Sequence, residues 1–114
     1  MKLFNRAKGV SGEMLAINYL KKNKYKILEQ NYKNKIGEID IIASQKDTLI
    51  FIEVKARTYK DFGSPCEAVD VRKQNKIRLV ASGYLKEKRL FDTPVRFDVI
   101  EILDDKINYI ENAF

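Results

Sequence analysis

The 114-residue sequence contains no histidine and a single cysteine, Cys66. The first absence removes Ser-His and Cys-His catalysis, histidine general bases and histidine-ligated metals. Any chemistry here falls to carboxylates, Lys, Arg, Tyr, Ser and a hard cation held by oxygen. The lone cysteine excludes an internal disulfide and any multi-cysteine zinc site, and its simplest reading is a small, inert side chain. No run approaches the roughly 18 apolar residues of a membrane span. The basic start MKLFNRAKGVSGE lacks the apolar core of a signal peptide, so a cytoplasmic protein with no membrane contact is expected. Repeats, low-complexity tracts and Pro/Gly/Ser-rich linkers are also missing, and one domain over residues 1–114 is expected.

What is present narrows the class. A hydrophobic content of 45% with 33% charged residues belongs to globular rather than disordered chains. The 22 basic and 16 acidic residues leave a net charge of +6. That balance suits a polyanionic partner such as nucleic acid, and it equally fits a basic protein with no such partner.

Residues 11–23 carry a helical pattern, with Ser11 placed as N-cap and Ala16, Ile17 and Leu20 in one stripe. Glu13 lies on that stripe. It reads either as an acid favoured by the helix N-terminus or as a member of a site. Residues 25–32 read as a strand, and 36–44 with 48–56 as a hairpin around Ser44-Gln45-Lys46-Asp47. After the polar stretch ARTYKDFGS, Ser64-Pro65-Cys66-Glu67 has the form of a capping box. It predicts a helix from there to about Lys86, with Val69, Ile77, Val80, Ala81 and Tyr84 buried. Lys73 falls on this stripe, pointing inward or snorkelling at its edge. Residues 95–103 and 106–112 form a second hairpin around Asp104-Asp105. The order α-β-β-β-α-β-β, with antiparallel hairpins and one parallel crossover, predicts an α/β or α+β domain. Its centre is a mixed sheet of about five strands flanked by helices.

The hairpin strands carry charge at unexpected places. In TLIFIEVK, alternation puts Leu49, Phe51, Glu53 and Lys55 on one face. In EIDIIA it puts Ile39 and Ile41 on one face, and Glu38, Asp40 and Ile42 on the other. Pairing brings Asp40 near Glu53 and Lys55, and a first helix covering that face would add Glu13. The acid-x-Lys triplet alone is uninformative: about two are expected by chance in a chain this rich in both, and two occur, at Glu53 and Asp104. Only Glu53 sits in an apolar strand, which leaves two readings, a polar-faced edge strand or a site. As a site it is chemically coherent. Close carboxylates repel, and a divalent cation resolves the repulsion. Oxygen-only ligands suit Mg²⁺ or Mn²⁺. A metal and a lysine together can hydrolyse a phosphodiester without histidine.

Asp40 followed by Glu53-x-Lys55 on the next strand, with Glu13 on a preceding helix, resembles the PD-(D/E)xK nuclease superfamily. More closely, the chain resembles the YraN-like family of small bacterial proteins related to archaeal Holliday-junction resolvases. The likeness runs through GEMLAINYL (12–20), GEIDIIA (37–43), IFIEVKAR (50–57), FGSPCEAV (62–69), RFDVIEI (96–102) and ENAF (111–114). It implies a restriction-endonuclease-like fold and an endonuclease acting on DNA, branched or structured DNA included. It further implies Mg²⁺ or Mn²⁺ held by Asp40, Glu53, Glu13 and the Val54 carbonyl, with Lys55 as the catalytic lysine. A homodimer is expected by the same analogy, because a junction offers two symmetric scissile strands. The sequence departs from the pattern at Ile39, where the superfamily name has proline. It departs again at Arg78, where some relatives carry a tyrosine four residues after a helix glutamine, so Gln74 stays a candidate only. Arg57, Lys60, Arg72, Lys73, Gln74 and Lys76 are the candidate DNA contacts, each charged one reading equally as a solvated surface charge. Tyr59 and Phe62 are placed either to stack on bases or to anchor the loop. The rival functions are a nucleic-acid-binding module that does no chemistry and a basic protein-interaction domain.

Overall fold

The computed structural model describes residues 12–57 and 70–114. Its elements are α1 (Gly12–Lys22), β1 (Lys26–Lys33), β2 (Glu38–Gln45), β3 (Thr48–Arg57), α2 (Val71–Glu87), β4 (Val95–Leu103) and β5 (Lys106–Ile110). The strands form one sheet in the order β1-β2-β3-β4-β5. Its neighbours are antiparallel except for β3 and β4, which run parallel across the α2 crossover. The mixed five-stranded α+β architecture expected from the sequence is the one found.

The central strands explain the layering. Isoleucines at 41, 50 and 52 and Phe51 are all buried, so β2 and β3 need cover on both faces. On one face, Ala16, Ile17 and Leu20 of α1 pack against Ile41, Ile50, Ile52, Ile100 and Ile102. On the other, Ile77, Val80, Ala81 and Tyr84 of α2 pack against Ile39, Ile42, Leu49, Phe51 and Val99. An aromatic row crosses the α2 face, with Tyr32–Tyr84, Phe51–Tyr84, Phe51–Phe97 and Phe97–Phe114 centroids 5.0 to 5.9 Å apart. It ties the edge strand β1 to the last residue of the chain.

Local signals set the connections. Asp104 and Asp105 hold φ of 49° and 72°, the pair of positive values that a two-residue turn between twisted strands requires. Between β1 and β2, Asn34 Oδ1 accepts from the Ile36 and Gly37 N–H groups, while its Nδ2 donates to the Val80 carbonyl of α2. A Cβ at position 83 would stand 2.8 Å from Asn34 Nδ2, so Gly83 is what lets this turn seat on the helix.

Three expectations are corrected. The second helix does not run unbroken from 65: Asp70 is extended (φ −75°, ψ 169°) and its side chain accepts from the Lys73 N–H, so α2 starts at Val71. Asp is itself a strong N-cap, a signal that the Ser64 capping box overshadowed. Ser11, Ser64 and Val69 lie outside the described residues. Second, α1 covers the face opposite to Glu53 and Lys55, because the α1 stripe matches the Ile50/Ile52 side of β3. Third, Ile39 packs with Ile42 in the α2 cluster rather than with Ile41. Alternation is interrupted at Asp40, just beyond the last β2–β3 pair, Ile41 with Ile52.

Candidate functional site

Two acids are buried in the sheet, and their surroundings differ. Asp98 on β4 is fully buried. Its Oδ1 accepts from Arg96 Nε at 3.0 Å and the Asn112 N–H at 2.8 Å. Its Oδ2 accepts from Arg96 Nη2 at 2.8 Å and from the Tyr109 hydroxyl. Arg96 Nη2 also donates to the Tyr25 hydroxyl at 3.2 Å. Every lone-pair direction of this carboxylate is used by groups fixed in β4, β5 and the chain just after it, which is the pattern of a structural charge. Sequence reasoning passed over Asp98, although it stands in the apolar run RFDVIEI just as Asp40 stands in EIDIIA.

Glu53 is 7% exposed and is held differently. It sits in β3, in register with Val99 of β4, and its side chain lies on the α2 face. Among the described residues its carboxylate is met by Lys73, whose Nζ is 2.7 Å from Oε2. Lys73 comes from the first turn of α2 with a side chain 51% exposed. Burial pushes this ammonium's pKa down. The hydrogen bond to Glu53 and the negative fields of Glu53, Asp40 and Asp70 outweigh that, and the group ends above the ordinary lysine value. Lys73 combines its two sequence readings: it stands at the exposed edge of the stripe, and its ammonium reaches in to Glu53.

Asp40 ends the β2–β3 ladder. Its Oδ2 accepts from the Val54 N–H at 2.8 Å, replacing the backbone partner that β2 would otherwise supply. The interrupted alternation and this bond set the Asp40 carboxylate beside β3, in the field of Lys73. Lys55 is half-buried, two residues beyond Glu53 on the same face, in register with Glu101 of β4. Lys73 is thus met by Glu53 and lies in the field of Asp40, while Lys55 follows two residues after Glu53 on the same strand face.

The other candidates fall elsewhere. Glu13, in the first turn of α1, accepts from Asn31 Nδ2 of β1 at 3.4 Å. Among the described residues no three acids stand together as a ready metal-binding group. Arg72 and Lys76 are exposed on α2, and Gln74 is half-buried. The Lys76 stem lies over Gly37, whose added Cβ would be 3.2 Å from Lys76 Cε. Arg57 closes β3. Lys60, Tyr59 and Phe62 lie outside the described residues. An open groove of about 530 Å³ lined by Lys21, Tyr25 and residues 26–30 contains none of these side chains.

The family described as "Uncharacterised protein family UPF0102" matches residues 12–102. The chain belongs to this family. It is 54% identical to a UPF0102 protein of Clostridioides difficile over 112 residues, covering 96% of this chain and 98% of that one. A UPF0102 protein of Clostridium botulinum is 49% identical over 120 residues, covering 100% and 98%. One of Alkaliphilus oremlandii is 48% identical, covering 96% and 99%. The match to the UPF0102 family takes in both strands that carry Asp40, Glu53 and Lys55, together with α1 and α2. Among the described residues no helix is long and apolar enough to cross a membrane.

Proposed function

We propose that this UPF0102 chain is a metal-dependent, nuclease-like domain that hydrolyses DNA phosphodiesters, branched or structured DNA among them. The observation that carries the reading is the buried Glu53 carboxylate. It lies in an apolar strand beside Asp40 and is balanced by a long lysine from solvent rather than by fixed donors. A purely structural acid in the same sheet, Asp98, is satisfied in the other way. The net charge of +6 and the exposed Arg72 and Lys76 beside α2's start suit a polyanionic substrate.

The donor set fits a hard divalent cation. Asp40 and Glu53 offer carboxylate oxygens, the Val54 carbonyl a further oxygen, and Mg²⁺ ordinarily keeps several waters beside one or two carboxylates. Glu13, bonded to Asn31 on the α1 side of the sheet, is left out of this donor set. When bound, the ion would offset the charge that develops on the phosphate. Lys55, two residues on along the same strand face, would supply a positive group for the attacking water or for the phosphoryl oxygens. Arg57, Lys60, Arg72, Gln74 and Lys76 complete the proposed DNA contacts. A homodimer would present two such sites to a symmetric junction.

Cleavage of duplex, single-stranded and four-way DNA with Mg²⁺ or Mn²⁺ tests the proposal. Glu53→Ala and Lys55→Ala should each lower the rate by about a hundredfold or more. Rates untouched by both substitutions would sink the mechanism. Salt-dependent DNA binding without cleavage, indifferent to Glu53, would instead identify a binding module.

A further inference from the structure

We infer that Lys73 is the resident cation of the Asp40–Glu53 site, and that a divalent ion enters by displacing its ammonium. The inference rests on the reading of those two acids as a metal site and says how the site is kept without metal. A nearly buried carboxylate cannot stay charged alone at low cost, and two neighbouring ones still less. Lys73 Nζ lies 2.7 Å from Glu53 Oε2, within the field of Asp40. It thus occupies the position that a bound cation would neutralise.

Two features make this cation exchangeable, where Arg96 on Asp98 is not. The Lys73 side chain is 51% exposed, so its departure is a rotamer change into water rather than an unfolding. Its backbone is held independently, because the Lys73 N–H donates to Asp70 Oδ1 at 2.9 Å, and the helix start survives when the ammonium leaves. The displaced ammonium then stands on the first turn of α2 between Arg72 and Lys76, free to meet a phosphate. Metal and polyanion binding should therefore reinforce one another.

The test is Mn²⁺ binding to the full chain, read by calorimetry and by melting temperature, in wild type, Lys73→Met and Lys73→Arg. Lys73→Met should bind Mn²⁺ about tenfold more tightly, the scale of one charged hydrogen bond no longer given up. Lys73→Arg, which keeps the cation, should bind as wild type does. Metal-free Lys73→Met should melt below wild type and recover with Mn²⁺. If it is unfolded without metal, Lys73→Gln titrated in the cold gives the same comparison. Equal Mn²⁺ affinity in all variants overturns the displacement and leaves the two acids as a metal site. Absence of Mn²⁺ binding in every variant overturns the metal site and the displacement together.

Discussion

Asp98→Ala is the substitution whose cost the structure defines best. It removes the acceptor of Arg96 Nε and Nη2, the Tyr109 hydroxyl and the Asn112 N–H. Removing one partner of a buried ion pair costs about 3–5 kcal/mol. Glu111 Oε1, already 3.8 Å from Arg96 Nη1, can take up part of the stranded charge, which favours the lower end of that range. Unfolding entropy of about 2.1 cal/mol/K per residue over 114 residues is roughly 0.24 kcal/mol/K, so 3 kcal/mol lowers the melting temperature by about 12 °C. Asp98→Asn keeps an oxygen for Asn112 and should lose about half as much. Urea denaturation followed by circular dichroism measures both, with an unchanged m-value as the check that the compactness of the unfolded state has not moved. Because Asp98 lies on the α1 face, the loss should be the same with and without Mn²⁺. A cost below about 1 kcal/mol for Asp98→Ala would refute the account of this carboxylate as a structural clamp.

Alkaline pH should expose the tyrosines. Burial raises the Tyr109 pKa, and hydrogen bonds to Asp98 and Tyr25 raise it further; burial also leads the upward shifts of Tyr32 and Tyr84. A folded tyrosine that keeps its proton while the unfolded one loses it at about 10 contributes fully below that pH and progressively less above it. The slope is about 1.4 kcal/mol per pH unit for each such group. Urea midpoints between pH 9 and 11 should fall less steeply in Tyr109→Phe than in wild type, and parallel slopes would contradict this assignment. At Asp40, the alanine variant strands the Val54 N–H and should cost about 1–3 kcal/mol, whereas Asp40→Asn retains an acceptor and should cost less than about 1 kcal/mol. Equal losses in the two would mean that the charge, not the bond to Val54, matters for folding.

Much of this architecture was legible from periodicity. The order of elements, the parallel crossover and the Asp104-Asp105 turn all follow from patterns a few residues long, which local physics sets. The misreadings share a different cause. Strict alternation placed Ile39 with Ile41, but alternation holds only while the ladder does, and Asp40 ends it by bonding Val54 through its side chain. The choice of which helix covers which face depends on crossover geometry and long-range packing, so nothing inside GEMLAINYL tells α1 to take the Ile50/Ile52 side. Asp70 was passed over as a helix start because the Ser64-Pro65-Cys66-Glu67 box, six residues earlier, already offered one by sequence. The cap at Asp70 and the contact of Lys73 with Glu53 both act on the helix that begins at Val71.

Asp98 and Glu53 show why an acid in an apolar strand cannot be assigned a purpose from its neighbours alone. RFDVIEI and IFIEVKAR look alike, and both acids are buried. What separates them is the origin of the positive charge. At Asp98 the guanidinium is two residues away on the same strand, with a hydroxyl from β5 and a backbone N–H beyond it, so the charge is neutralised by the same chain movements that build the sheet. At Glu53 neutralisation waits on a flexible lysine delivered by α2, and half of that side chain remains in water. A fold that needed only stability could have used the Asp98 solution twice. A buried acid held by one half-exposed lysine gains less than the fully clamped Asp98. Under the proposed displacement, that weaker hold is what lets a divalent ion take the partner's place.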